Sequence, residues 1–412
     1  MSKPKVFEKP IGVKDYLPHA VAKLRQIENQ VLACMHSWGY EQIMTPTMEY
    51  YDTVGVASST SDQKLFKLLN NRGTTLVLRS DMTAPIARVV SSVLKDVQFP
   101  IRLSYHSNVF RAIEEEAGRE AEFFQTGVEL VGDASPEADA EVVALAIASL
   151  KAAGVKRFKI AIGHVGFLNG LFEETLPGQR AAQEELKAYL LGRDYVGYRE
   201  CLRSLAISEE MRSELEGIIR LRGGREICNQ AMALSLDDIA QASVRHLCEM
   251  WDVLEAYGVC EHVLIDLTMI GDFKYYTGMT FEAYAADLGF PVASGGRYDN
   301  LLKQFGRPAP ATGFALKTTR ILELIGDDDC ESNEERVLIG YDAEGRAAAL
   351  DKARELREAA GTSALIVTER MDAVSQQAVR DSAASAASGM VIYKGVAFTK
   401  LLSYFGGERE RE

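Results

Sequence analysis

Apolar residues recur at helical spacing at Val21, Leu24, Ile27, Val31 and Leu32, which predicts an amphipathic helix over residues 18–38, ended by Gly39. Period-two alternation takes over in IRLSYHSNVFRAI and AEFFQTGVELVG. These read as two antiparallel strands joined by the polar loop EEEAGREA. Between the first helix and that pair, TTLVLRSDMTAPIARVVSSVL reads as a strand, a turn and a helix. Asp81 or Thr83 caps that helix, and Pro85 sits in its first turn. SPEADAEVVALAIASLKAAG is a further helix with a serine cap and a terminal glycine, followed by the strand FKIAIGH. From about 165 to 257 the pattern is almost wholly helical. Strand character then returns in HVLIDLTM, YTGMTFEAYA and PATGFALKTTRI. A helical block is therefore expected as an insertion in a strand-rich unit.

The acidic stretch 326–335, GDDDCESNEE, lacks hydrophobic periodicity and reads as a linker. Beyond it RVLIGY, ALIVTE and GMVIYK predict three short strands with helices between them. This is the pattern of a small α/β domain with a largely parallel sheet. The expected division is a domain over 1–325, a linker over 326–335 and a small domain over 336–412.

The formal net charge of −13 argues against general adhesion to nucleic acid or to anionic membrane, both of which need cationic surface. The six cysteines form no CxxC pair, so buried thiols are expected rather than a disulfide framework or a zinc site. The start of the chain shows no apolar signal region, and no run approaches the ~20 apolar residues of a membrane span. A cytoplasmic protein is the expectation.

Phosphate loops of the GxxxxGK[ST] type, HExxH and GxSxG are absent, and the six histidines form no HxH or HxxxH pair. No metal or other cofactor is expected. What remains is a scattered polar set on strand-like segments: Asp81, Thr83, Arg111, Gln125, Glu129, Tyr275, Tyr276 and the run Gly295-Gly296-Arg297. Gln125 and Glu129 are four apart on a strand and share a face. A glutamine and a carboxylate together can receive an ammonium group, and an arginine can hold a carboxylate bidentately. The set suits an amino acid. Each member alone is more often a solvated or structurally paired group, so the weight rests on their joint occurrence.

The order of segments resembles the class II aminoacyl-tRNA synthetases, and within them the histidyl-tRNA synthetase family. GVKDYLP (12–18) is similar to that family's N-terminal motif. GYEQIMTPTME (39–49) is similar to its motif 1, the dimer-forming element. LRSDMTAP (79–86) resembles LRPEGTAP, and VFRAIEEEAGREAEFFQTGVELVG resembles motif 2 with its loop. KYYTG (274–278) resembles the end of the histidine signature RGLDYYTG, and PATGFALKTTRI resembles motif 3, ending in Arg320. The resemblance implies an α+β fold, an antiparallel sheet flanked by helices. It also implies a helical insertion and a C-terminal domain like the anticodon-binding one. It further implies a histidine site at Asp81, Thr83, Arg111, Gln125, Glu129, Tyr275 and Tyr276. Glu129 and Gln125 would hold the ammonium, Arg111 the carboxylate, and Tyr276 would lie on the imidazole side.

The departures bear on chemistry. Gly271 stands where the family carries the arginine that meets the α-phosphate, and Lys274 stands at the signature's aspartate. Loss of one preorganised donor to a developing oxyanion costs ~3 kcal/mol, about a hundredfold or more in rate. Asp81 and Met82 replace glutamate and glycine, Ala121 replaces an arginine, and Lys317 and Thr319 replace a glycine and a glutamate near motif 3. Residues 334–412 hold 11 Lys or Arg against 13 Asp or Glu, without the basic run an anticodon stem calls for.

A retained pocket with lost chemistry resembles the synthetase paralogues that act as regulatory subunits of ATP phosphoribosyltransferase. That resemblance implies a non-catalytic role in the first step of histidine biosynthesis. The implied partner is a short-form catalytic subunit, histidine is the implied feedback effector, and a homodimer core is implied within a hetero-oligomer. A diverged histidyl-tRNA synthetase and a histidine- or tRNA-sensing module are the competing readings.

Overall fold

The computed structural model describes residues 7–112, 120–269, 275–286, 288–326, 335–360, 364–385 and 390–406. The chain separates into two compact units, residues 1–327 and 328–412.

The first unit is organised by a nine-stranded sheet. Its spatial order is Glu41–Gln42, Ile101–Phe110, Glu122–Val131, Ala311–Lys317, Pro291–Arg297, Met279–Ala285, Phe158–His164, Val263–Asp266 and Arg222–Gly223. The five pairings from Ile101–Phe110 to Phe158–His164 are all antiparallel. Alternation along the strands divides the two faces. Val128, Leu130, Phe314, Leu316, Ala293, Phe281, Ala283, Ile160 and Ile162 fall on one side and join the main hydrophobic core. Glycines and polar residues fall on the other.

The core face is covered by Pro136–Ala152, a helix buried nearly all round, as its uniform apolar composition requires. Ser135 caps it by accepting from the Ala138 amide at 3.2 Å. Pro18–Ser37 packs against that helix through Leu24, Ile27, Val31 and Met35, whereas Val21 points outward. The inserted block runs as helices from Val165–Thr175 to Asp238–Ala256. Between them the two-residue strand Arg222–Gly223 joins the end of the sheet.

The opposite face is partly covered by the helix Thr83–Ser92. Met82, Ala84, Ile86 and Val90 pack there onto Leu103, Tyr105 and Val109. Asp81 caps this helix, accepting from the Ala84 amide at 3.0 Å.

In the second unit Glu335–Tyr341 lies between Ala364–Arg370 and Lys400–Tyr404, all parallel. This corrects one strand assignment. Val391–Tyr393, from GMVIYK, is not the third parallel strand. It forms a hairpin with Val396–Phe398, turning at Lys394-Gly395, where both residues have positive φ. A three-residue apolar run fits either a hairpin arm or a buried strand, and the sequence does not separate them. Among the described residues, no helix is long and apolar enough to cross a membrane.

Candidate functional site

Asp81, Thr83, Arg111, Gln125, Glu129, Tyr275 and Tyr276 all line one cavity of about 80 Å³ on the polar face of the sheet. Tyr105, Ser294, Tyr298 and Gly313 complete its walls. Register explains the convergence. Glu129 stands opposite Gly313 and Leu103, Gly127 opposite Ala315 and Tyr105, and Gln125 opposite Lys317 and Ser107. Directly opposed residues project to the same face, so three strands feed one row of side chains.

Glu129 is 2% exposed. Its Oε1 accepts from Thr83 Oγ1 at 2.7 Å, and its Oε2 accepts from the Tyr298 hydroxyl. Burial raises its carboxyl to about 8. The hydrogen bonds from Tyr298 and Thr83 oppose that rise, and the charge of Asp81 adds to it. The space for this carboxylate comes from Gly313. A Cβ there would lie 2.1 Å from Glu129 Oε2 and 2.4 Å from the Val128 carbonyl. Gly127 likewise makes room for the Tyr105 ring, whose hydroxyl would meet a Cβ at 2.6 Å.

Aromatic rings surround this end. Tyr275 stacks on Tyr298 at 5.5 Å and meets Tyr276 edge-on at 5.0 Å. Burial pushes the Tyr105, Tyr275 and Tyr298 phenols well above their ordinary range, so they act as hydroxyl donors and not as phenolates.

The other end is polar and open-handed. Gln125 is 5% exposed, and among the described residues its amide makes no hydrogen bond. Arg111 donates from Nε to the Ser80 carbonyl at 2.9 Å and lies over the Phe123 ring. Its terminal nitrogens have no partner among the described residues. Burial lowers its pKa, and the Asp81 carboxylate acts against that. Asp81 also accepts from the Ser58 hydroxyl.

Gln125 and Glu129 are separated by four residues of strand, ~13 Å along the chain. Arg297, grouped with the polar set in the sequence, falls on the core face. There it makes two 3.0 Å bonds to buried Asp139, which also pairs with His246 at 2.8 Å. Gly271 and Lys274 lie outside the described residues.

Sequence reasoning passed over Tyr105, Tyr298, Gly313 and Ser294. Tyr105 lies in IRLSYHSNVF, and the glycine that makes room for it, Gly127, is its neighbour only across the strand pair, so the sequence carries no direct signal for it. Tyr298 stood in SGGRYDNLL, next to the residues that were considered.

The sequence matches the family described as histidyl-tRNA synthetase over residues 12–321. An ATP phosphoribosyltransferase regulatory subunit from Bacillus subtilis (strain 168) is 46% identical over 354 residues, 85% of this chain and 89% of that protein. One from Halalkalibacterium halodurans is 46% identical over 357 residues, 87% and 90% of the two chains. Among solved structures, an ATP phosphoribosyltransferase regulatory subunit/histidyl-tRNA synthetase from Bacillus halodurans aligns with a TM-score of 0.86 at 41% identity. That alignment covers 98% of this chain and all of that one. The histidyl-tRNA synthetase of Nostoc sp. PCC 7120 aligns at 0.76 and 20% identity over 92% of this chain and 90% of its own, a likeness of fold. This chain belongs to the family of ATP phosphoribosyltransferase regulatory subunits, built on the histidyl-tRNA synthetase fold.

Proposed function

We propose that the chain binds free histidine in this cavity and confers histidine feedback on a short-form ATP phosphoribosyltransferase, without catalysis of its own. The observation that carries this reading is the polarity of the cavity along one strand. A buried carboxyl held by Thr83 and Tyr298 lies among tyrosines at one end. An unpartnered amide and a guanidinium lie at the other. The aromatic end with Glu129 suits an imidazole ring offering an N–H. The Gln125, Arg111 and Asp81 end suits the zwitterion, with Arg111 on the carboxylate and Asp81 on the ammonium. In this reading Glu129 takes the ring, where the resemblance gives it the ammonium, and Tyr276 flanks it.

Regulation follows from linkage. A ligand shifts an assembly only by its differential affinity for two states, and that coupling acts equally in both directions. We further propose a homodimer core through the segment after the first helix. Met48, Tyr50 and Leu68 present an exposed apolar face of the small sheet Met48–Tyr50, Thr75–Leu78 and Lys67–Leu69.

Calorimetric titration of the isolated chain with histidine, and separately with ATP, tests the reading. The expected result is saturable histidine binding together with no pyrophosphate exchange into ATP. Exchange supported by this chain alone would instead establish a working synthetase.

A further inference from the structure

The strand Ala311–Lys317 sends every second residue onto the cavity face. Gly313 stands beside Glu129, Ala315 beside Gly127 and Lys317 beside Gln125. Gly313 and Ala315 line the cavity. Lys317 continues the same row at the Gln125 end, with its Cβ about 5 Å from that of Gln125.

Its surroundings are unusual for a lysine. Among the described residues its ammonium makes no hydrogen bond and no ion pair. Burial lowers its pKa to about 8, and Arg320 and Arg111 act on it as like charges. The opposite charge that reaches it is Glu282, which is itself bound to Arg193 at 2.9 Å. Arg320 is engaged elsewhere, donating to the Pro291 carbonyl at 3.0 Å and lying over Phe290. A sequestered ammonium without its own anion is costly, and an anion brought by a ligand relieves that cost.

We propose that Lys317 is a specificity-determining residue of the site. Together with Arg111 it takes the carboxylate of free histidine at the Gln125 end, and so separates the amino acid from its decarboxylated analogue. The inference rests on the histidine reading given above. It is independent of family resemblance, since Lys317 stands where the synthetases carry a glycine. The geometry also fixes the ligand's direction: ring towards Glu129 and Gly313, carboxylate towards Gln125 and Lys317.

The test is calorimetric titration of the full chain and of Lys317→Met with L-histidine and with histamine. Lys317→Met keeps the stem and removes the charge. It is expected to weaken histidine by about tenfold to a hundredfold, the worth of a charge-assisted contact. Histamine affinity should stay within about threefold, so the preference for histidine collapses. Lys317→Arg should restore part of that preference, which a purely structural role would not predict. Equal weakening of both ligands would overturn the proposal, as would unchanged histidine affinity. Loss of inorganic pyrophosphate binding in Lys317→Met, with histidine unaffected, would assign the residue to a phosphate and also overturn it. If the unaltered chain binds neither histidine nor histamine, the histidine reading itself falls and this inference with it. That failure is read from the parent protein, before any variant.

Discussion

Glu129 carries the clearest consequences for single residues. Its carboxyl ionises near 4.5 in an unfolded chain and at about 8 in the fold. Between those values the folded state binds a proton that the unfolded state does not. Its contribution to stability is therefore full at low pH and declines as pH rises towards 8. Glu129→Gln mimics the protonated form. Its melting temperature should match the parent near pH 5 and exceed it increasingly towards pH 8, with parallel curves contradicting the assignment. Lys317 works in a higher window. Its pKa is depressed to about 8, so stability recovers above that pH as the buried amine discharges. Gly313 gives a steric test. Gly313→Ala places a methyl 2.1 Å from Glu129 Oε2, and the neighbouring Val128 carbonyl cannot retreat without breaking the strand. Overpacking of this kind costs ~1–3 kcal/mol. We expect a comparable loss in urea unfolding together with at least tenfold weaker histidine binding. The seven residues that the resemblance assigns to a histidine site line the same cavity: Gln125 and Glu129 from the strand Glu122–Val131, Asp81 and Thr83 from the start of the helix Thr83–Ser92, and Arg111, Tyr275 and Tyr276 from segments flanking strands. Periodicity shows that Gln125 and Glu129 share a face of their strand, but not that Thr83 and Tyr298, distant in the chain, hold the Glu129 carboxyl.

At the scale of elements, the glycine-containing strand Pro291–Arg297 is tied to the helices behind the sheet by one buried node. Arg297 reaches Asp139 on Pro136–Ala152, and Asp139 reaches His246 on Asp238–Ala256. Pairing with His246 and Arg297 holds the Asp139 carboxyl below its usual range despite burial. Removing one partner of such a node strands the other's charge, at ~3–5 kcal/mol. Asp139→Asn should therefore lower the urea midpoint of the first unit sharply, whereas His246→Gln, which leaves the arginine paired, should cost much less. Equal effects would show that the ion pair is not the main tie. Most of these elements were legible in the hydrophobic pattern, including the serine-capped central helix and the helical insertion. Three things were not. Arg297 sits in the same short run as cavity glycines, yet the pleat turns it to the other face. The hairpin at Val391–Tyr393 was indistinguishable from a parallel strand by composition. The two-residue strand Arg222–Gly223 is too short to leave any periodicity.

For the whole molecule, the exposed face of Met48, Tyr50 and Leu68 predicts a dimer of twice the 45.4 kDa chain mass. The double change Tyr50→Glu and Leu68→Glu should yield monomers by light scattering, and an unaltered mass would place the dimer contact elsewhere. Family membership, the 510 Å³ cleft between sheet and insertion, and the second unit leave several surfaces on which a catalytic partner can sit. The regulatory claim does not depend on which is used. It depends on the small cavity being the place where histidine is sensed. The direct measurement is the histidine inhibition curve of ATP phosphoribosyltransferase reconstituted with the parent chain or with Glu129→Ala. The prediction is full inhibition with the parent, and an assembled, active complex that histidine no longer inhibits with the variant. Inhibition that survives Glu129→Ala at unchanged histidine concentration would contradict it.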